Sequence, residues 1–261
     1  MSEAQARVGD LAAAMEAIAP SRYAESWDNV GLLVGDPGRP VSRVLLCIDC
    51  TEQVLEEAVG RGAEAVVAYH PVIFQGLKRL VAGSVPWRLV QGGVAVVSPH
   101  TALDVADGGT NDVLADALGL LSRTPLRVTV PSEGRGLGRV GGIRSTTRES
   151  LLQMAQRALG IHRLLVAGPL EGEVTRAAVG AGACGDLLNE VIASGAGFYL
   201  TGEMRHHDAL KAAAAGVTVA CALHSNSERP TLPRLAERLR AHLPRVHFEL
   251  SVRDRDPFSV W

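Results

Sequence analysis

The chain has 261 residues, is 47% hydrophobic and 4% aromatic, and carries a formal charge of -2. That length can bury a substantial core, as one large domain or two modest ones. The near-neutral balance argues against a phosphate-neutralising surface and the sparse aromatics against a base-stacking platform, so no nucleic-acid partner is expected.

The opening stretch "MSEAQARVGDLAAAMEAIAP" lacks a basic start and a long apolar run, so it is not read as a signal peptide. No apolar run reaches bilayer length, and charges of both signs are mixed along the chain. A cytoplasmic protein without a membrane partner is expected. Apolar runs at 43–49, 64–69 and 94–98 predict buried strands, and the periodicity of 51–61 and 111–120 predicts helices. This alternation points to an α/β layer structure. Cys47-Ile48-Asp49-Cys50 spells C-x-x-C, which serves redox pairs and zinc sites. It lies in and just after a predicted strand and has no second copy. With Cys184 and Cys221, these cysteines are read as small buried hydrophobes in a reducing compartment. The stretch "PSEGRGLGRVGG" (131–142) reads as a linker or a sharp change of direction, which divides the chain into halves of 1–130 and 131–261.

The two halves resemble each other. "VLEEAVGRGAEAVVAYH" (54–70) aligns without gaps on the sequence from Leu187, which sets His70 against Glu203. "GGVAVVSPHTALD" (92–104) aligns on "AGVTVACALHSNSE" (215–228) with one inserted residue, which sets His100 against His224 and Asp104 against Glu228. Each half therefore carries an apolar strand that delivers H-x-x-x-[D/E] at its end, followed by a helix, "NDVLADALGL" or "TLPRLAERLR". Helix–strand units also resemble one another by chance, but here the ligand-type residues coincide along with the apolar ones. The reading is an α/β fold of two similar halves about a pseudo-twofold axis, with a shared site at the strand ends between them. His70 then ends its strand because the tip faces that site; the plainer alternative is a turn set by Pro71.

The candidates are His70, His100, Asp104, His224, Glu228 and, more weakly, Glu203. Imidazole nitrogens with carboxylates suit divalent zinc, iron, manganese or nickel. The adjacent His206 and His207 begin a predicted helix and are read as capping or solvated, and His162, His242 and His247 as exposed. There is no G-x-S-x-G elbow and no Walker A sequence, and "GRGLGRVGG" does not match G-x-G-x-x-G cleanly. Ser225 beside His224 is a poor nucleophile candidate, because adjacent residues rarely face each other.

The blocks "ESWDNVGLLVGD" (25–36), "AYHPVIFQGLK" (68–78), "PHTALDVADGGTND" (99–112), "GLGRVGG" (136–142), "LTGEMRHHDAL" (200–210) and "HSNSE" (224–228) are similar to the NIF-three-like dinuclear metal-centre proteins. Some of these bear the name of homologues of a type-two GTP cyclohydrolase. The resemblance covers nearly the whole chain in order, in the short form without a central insert. It implies two α/β halves, a homohexameric ring, and one or two divalent ions (zinc, iron or manganese) per chain. Carried over residue by residue, it makes His70, Asp104, His224 and Glu228 the metal ligands, with Glu228 bridging, and His100 either a nearby group that supports the ligands or an acid–base group. Where many members have two adjacent histidines before the proline, this chain has Tyr69-His70, which leaves the second metal weaker, absent, or completed by His100 or water. The activity implied is metal-dependent hydrolysis of a small molecule, at a phosphoester, an amide or a purine-ring carbon. The competing reading is a non-catalytic metal-binding ring for storage, delivery or protein recruitment.

Overall fold

The structure, a computed structural model, describes residues 5–259 and divides into two compact units. The first unit takes the chain as far as Leu103 and adds Leu232–Arg255; the second holds Asp104–Thr231 and the tail from Asp256.

The first unit opens with α1 (Val8–Ile18) and β1 (Gly31–Val34). It continues through β2 (Arg43–Cys47), α2 (Glu52–Gly60), β3 (Ala65–Ala68), α3 (Val85–Gly92) and β4 (Ala95–Ser98). Strands β2, β3 and β4 run parallel. Their short apolar runs are buried on both faces, the pattern a sheet covered on both sides requires. Thr51 caps α2 by accepting the Val54 amide. Gly93 ends α3 at φ 61, a left-handed turn that leads directly into β4. A short helix, α4 (His100–Val105), comes after β4.

The second unit contains α5 (Thr110–Ala117), β5 (Leu121–Thr124), the hairpin of β6 (Arg127–Val130) and β7 (Arg135–Leu137), and β8 (Arg139–Thr147). Then come α6 (Arg148–Leu159), β9 (Leu165–Ala167), β10 (Glu173–Gly180), α7 (Leu188–Ala193), β11 (Phe198–Thr201), α8 (His206–Ala214), β12 (Thr218–Cys221) and α9 (His224–Glu228). Its sheet has the order β5-β8-β10-β11-β12-β9, with β10, β11 and β12 parallel. Last in the chain, α10 (Thr231–His242) and β13 (His247–Leu250) return to the first unit. There β13 joins β2 to complete the order β1-β4-β3-β2-β13.

The sequence repeat is present in the fold. Elements α1 to α5 and α6 to α10 share the same order of helices and strands. The registers agree as well: Ala68 and Thr201, which the alignment of the halves sets against each other, pair with Cys47 and Gly180, at the ends of β2 and β10. The inserted residue is Leu223, between β12 and α9.

The two compact units do not coincide with the two repeats. The last helix of each repeat belongs with the other unit, α5 with the second and α10 with the first. Of the stretch 131–142, residues 131–134 form the tight turn of the β6–β7 hairpin, a sharp change of direction, and nearly all of the rest is strand, not linker. Its glycines permit close strand approach: a Cβ at Gly136 would collide with the Arg127 carbonyl, and one at Gly141 would lie 2.5 Å from the Leu121 carbonyl. Among the described residues, no helix is long and apolar enough to cross a membrane.

Glu57 on α2 ties down the chain after β13. It accepts hydrogen bonds from the Ser251 hydroxyl and the Val252 and Arg253 amides, and pairs with Arg61 at 2.7 Å. Burial alone would raise its pKa, but these hydrogen bonds and the Arg61 charge hold the carboxyl below its ordinary value of 4.5. The stabilisation is thus present above pH 4.5 and is lost as pH falls through the lower folded-state value. In urea denaturation, Glu57→Gln is expected to cost about 1–2 kcal/mol at pH 7 and progressively less below pH 4.

Candidate metal centre

In the first unit the candidate residues lie beyond the carboxyl ends of the parallel strands, where α/β sheets place their ligands. The ladder runs slightly past the strands themselves: the Tyr69 amide donates to the Cys47 carbonyl at 2.9 Å, His70 to Ile48 at 3.0 Å and His100 to Tyr69 at 3.2 Å. His70 is thereby fixed beside Asp49, and its Nδ1 donates to Asp49 Oδ1 at 2.8 Å. His100, at the start of α4, donates from Nδ1 to Asp28 Oδ1 at 2.7 Å. With Nδ1 protonated on a carboxylate, each ring carries its lone pair on Nε2, the form suited to metal binding or proton transfer. The two rings stand edge to face, 5.4 Å apart between centroids.

Asp28 is fully shielded from solvent. Besides His100, it accepts from the Thr101 amide at 3.1 Å, the Thr101 hydroxyl and the Asn29 amide. Burial would raise its pKa, but the bonds from His100 and Thr101 outweigh that and keep it below the usual carboxylate value. It is therefore ionised at neutral pH and able to support a positive charge on His100.

In the second unit α9 is a single short turn carrying His224 and, four residues on, Glu228. His224 Nε2 is 3.2 Å from Glu228 Oε1, and His224 Nδ1 is 3.1 Å from Glu203 Oε1 at the end of β11. Gly182, just beyond β10, presses its backbone against this pair. A Cβ there would lie 2.7 Å from Glu228 Oε1 and 3.1 Å from His224 Nε2, and its φ is +61. Two ligands on one ion with bonds of about 2.1 Å are separated by about 3.0–3.4 Å, so the His224–Glu228 spacing fits a shared cation. The nitrogen and oxygen donors form a group that could hold a metal ion. Asp104, buried on α4, belongs to the same unit. Its carboxylate and that of Glu228 both act on the Cys184 thiol, which burial first and these charges second push well up.

Both histidine-bearing turns are strained. His100 has φ 29, and Leu223, immediately before His224, has φ 71 and ψ 156, a region otherwise almost reserved for glycine.

The Duf34/NIF3 (NGG1p interacting factor 3) family profile matches residues 6–257. The chain belongs to this family. It is 30% identical over 264 residues to the GTP cyclohydrolase 1 type 2 homolog of Clostridium perfringens, covering 97% of this chain and 99% of the relative. It is 37% identical over 232 residues to the Protein NIF3 homolog of Schizosaccharomyces pombe, with 82% of each covered. Among solved structures, a Bacillus cereus protein related to NIF3 shares the fold with a TM-score of 0.90 at 22% identity, covering 99% of this chain and all of that one. The Staphylococcus aureus protein SA1388 aligns with a TM-score of 0.88 at 25% identity over 99% of this chain and all of that one.

In this NIF3-family chain, His70 and His100 stand together in the first unit, while His224 and Glu228 stand together in the second, the unit that also holds Asp104. Glu203 partners His224 through Nδ1. Tyr69 is fully buried, edge-on to both His70 and His100. His206, His207, His162, His242 and His247 are exposed. All four cysteines are free. The bond to Cys50 and burial push the Cys47 thiol well up, and burial lifts Cys221 to about 11, so both are neutral occupants of their strands. Residues that the sequence does not single out are Asp28, Asp49 and Gly182. Asp49 offers a signal, since it comes after β2 as His70 comes after β3.

Removing a buried carboxylate that satisfies several donors should be costly, whereas Glu203 is exposed. Asp28→Ala is expected to lower stability by about 2–4 kcal/mol, and Glu203→Ala by no more than about 1 kcal/mol, in urea denaturation at pH 7.

Proposed function

We propose that the chain is a divalent-metal-binding hydrolase in which His70, Asp104, His224 and Glu228 hold one or two ions and His100 moves protons. The observation that carries this reading is the His224–Glu228 pair, 3.2 Å apart, with Gly182 leaving no room for a side chain beside it. The family relationship agrees with it, since relatives bear the name GTP cyclohydrolase 1 type 2 homolog.

When bound, a divalent ion supplies a Lewis acid and an activated water for attack on a phosphoester or ring carbon. The chain's own residues do the rest. Asp49 orients His70 as a donor from Nε2, and Glu203 does the same from the other nitrogen of His224. Asp28 holds His100 with its lone pair on Nε2, so the imidazole can accept a proton from the attacking water and pass it to the leaving group. The buried Asp28 carboxylate then stabilises the imidazolium without taking the proton itself. Small-molecule substrates fit this reading, as does the homo-oligomeric ring that the resemblance implies.

The test begins with metal content, by elemental mass spectrometry on protein purified without an affinity tag. Wild type is expected to carry one or two equivalents of zinc, iron or manganese, and Glu228→Ala to lose most of it. Two equivalents would mean that Tyr69 does not prevent a dinuclear site. No metal, even after reconstitution, would overturn the hydrolase reading in favour of a ring scaffold. Asp49→Asn should weaken metal binding about 10- to 100-fold. His100→Gln should retain metal while lowering kcat on a nucleotide or phosphoester substrate about 10²- to 10⁴-fold.

A further inference from the structure

Beside His100 stands a wall that the metal chemistry does not use. Trp27 is 57% and Phe74 48% exposed, yet the segments that carry them are anchored. The Glu25 amide donates to the Thr101 hydroxyl at 3.0 Å, Asp28 is buried, and the Asn29 side-chain amide donates to the Ile73 carbonyl at 2.6 Å. The indole and phenyl rings are thus held out to solvent from ordered backbone instead of being folded into the core. Their centroids are 5.7 Å apart with planes at 51°, and each ring meets His100 nearly edge to face, at 6.0 and 6.3 Å. Phe74 also lies in the stretch 69–84, which contains neither helix nor strand. A connection of that length is uncommon within a compact unit, and binding loops are among the segments that reach it.

We propose that Trp27 and Phe74 form a stacking wall for a planar nitrogen heterocycle carried by the substrate, and that they select ring-bearing over ringless phosphoesters. This rests on the reading of His100 as the proton carrier of a hydrolytic site. Two splayed aromatic rings make a corner that offers a face to stack on and an edge to abut, which suits a flat ligand with a π-surface. The perimeter of such a ligand, where its ring nitrogens lie, would then point towards His100. An aliphatic chain would gain little from this geometry. The wall is a positioning element; it does not touch the reacting atoms.

The test is calorimetric titration of the full chain, metal-free and manganese-loaded, with GMP and with ribose 5-phosphate. GMP is expected to bind about tenfold or more tightly than ribose 5-phosphate, and Trp27→Leu and Phe74→Leu are each expected to reduce GMP affinity roughly 5- to 150-fold. Ribose 5-phosphate affinity and manganese content should not change, and Trp27→Phe should restore most of the GMP affinity. Equal affinity for the two ligands, no GMP binding in either form, or a loss shared by ribose 5-phosphate would overturn the wall. Manganese uptake that fails while GMP is still preferred would sink the hydrolase reading alone. Manganese retained without any preference would sink the wall alone.

Discussion

Parallel pairing constrains this molecule more than any other interaction. Strands that run parallel must leave their sheet at the same edge, so the residues just beyond β2, β3 and β4 are brought together regardless of side-chain type. In this chain those residues include Asp49, His70 and His100. The same holds for Gly182, Glu203 and His224 after β10, β11 and β12. Because the strands are short, apolar and buried on both faces, the polar residues at their ends inherit the rigidity of the core. The carboxylates then refine the placement that the backbone makes: a hydrogen bond to Nδ1 of His70 and of His100 fixes both the ring's orientation and its tautomer.

That placement is not strain-free. Left-handed backbone at His100 and Leu223 costs about 1–3 kcal/mol each, and persists only because the neighbouring strands and helices leave no relaxed alternative. Both strained residues occur where a strand turns into the short helix that carries an imidazole and a carboxylate four residues apart. Two halves of different sequence thus reach one solution by different means. The first turns at His100 itself; the second inserts a residue and turns before the histidine.

Much of this is legible in the residues. The apolar runs locate β2, β3 and β4 to within two residues, because a strand covered on both faces leaves an uninterrupted hydrophobic record. The alignment of the halves locates the single inserted residue, which the ladders place at Leu223. The glycine-rich stretch is legible in part: 131–134 is the change of direction it suggests, but beyond it glycine marks close strand approach as readily as it marks a linker, and only the neighbouring strand distinguishes the two. Asp28 is hidden for a different reason. It lies 72 residues from the histidine it serves, and no local periodicity records a bond across that distance. Gly182 is hidden because its role is to lack a side chain.

The exchange of terminal helices between repeats sets an order of events during synthesis. The sheet and helices of the second unit lie within Asp104–Thr231, whereas the first lacks α10 and β13 until the chain is nearly finished. Domains fold as their chain emerges. Here the later stretch of sequence is the one that can close first, while the earlier one waits with the β2 edge open for β13. A nascent chain in that state exposes a strand edge, which invites pairing with another copy. Cutting the gene at the boundary between the repeats would therefore leave two fragments, each missing a helix that the other retains.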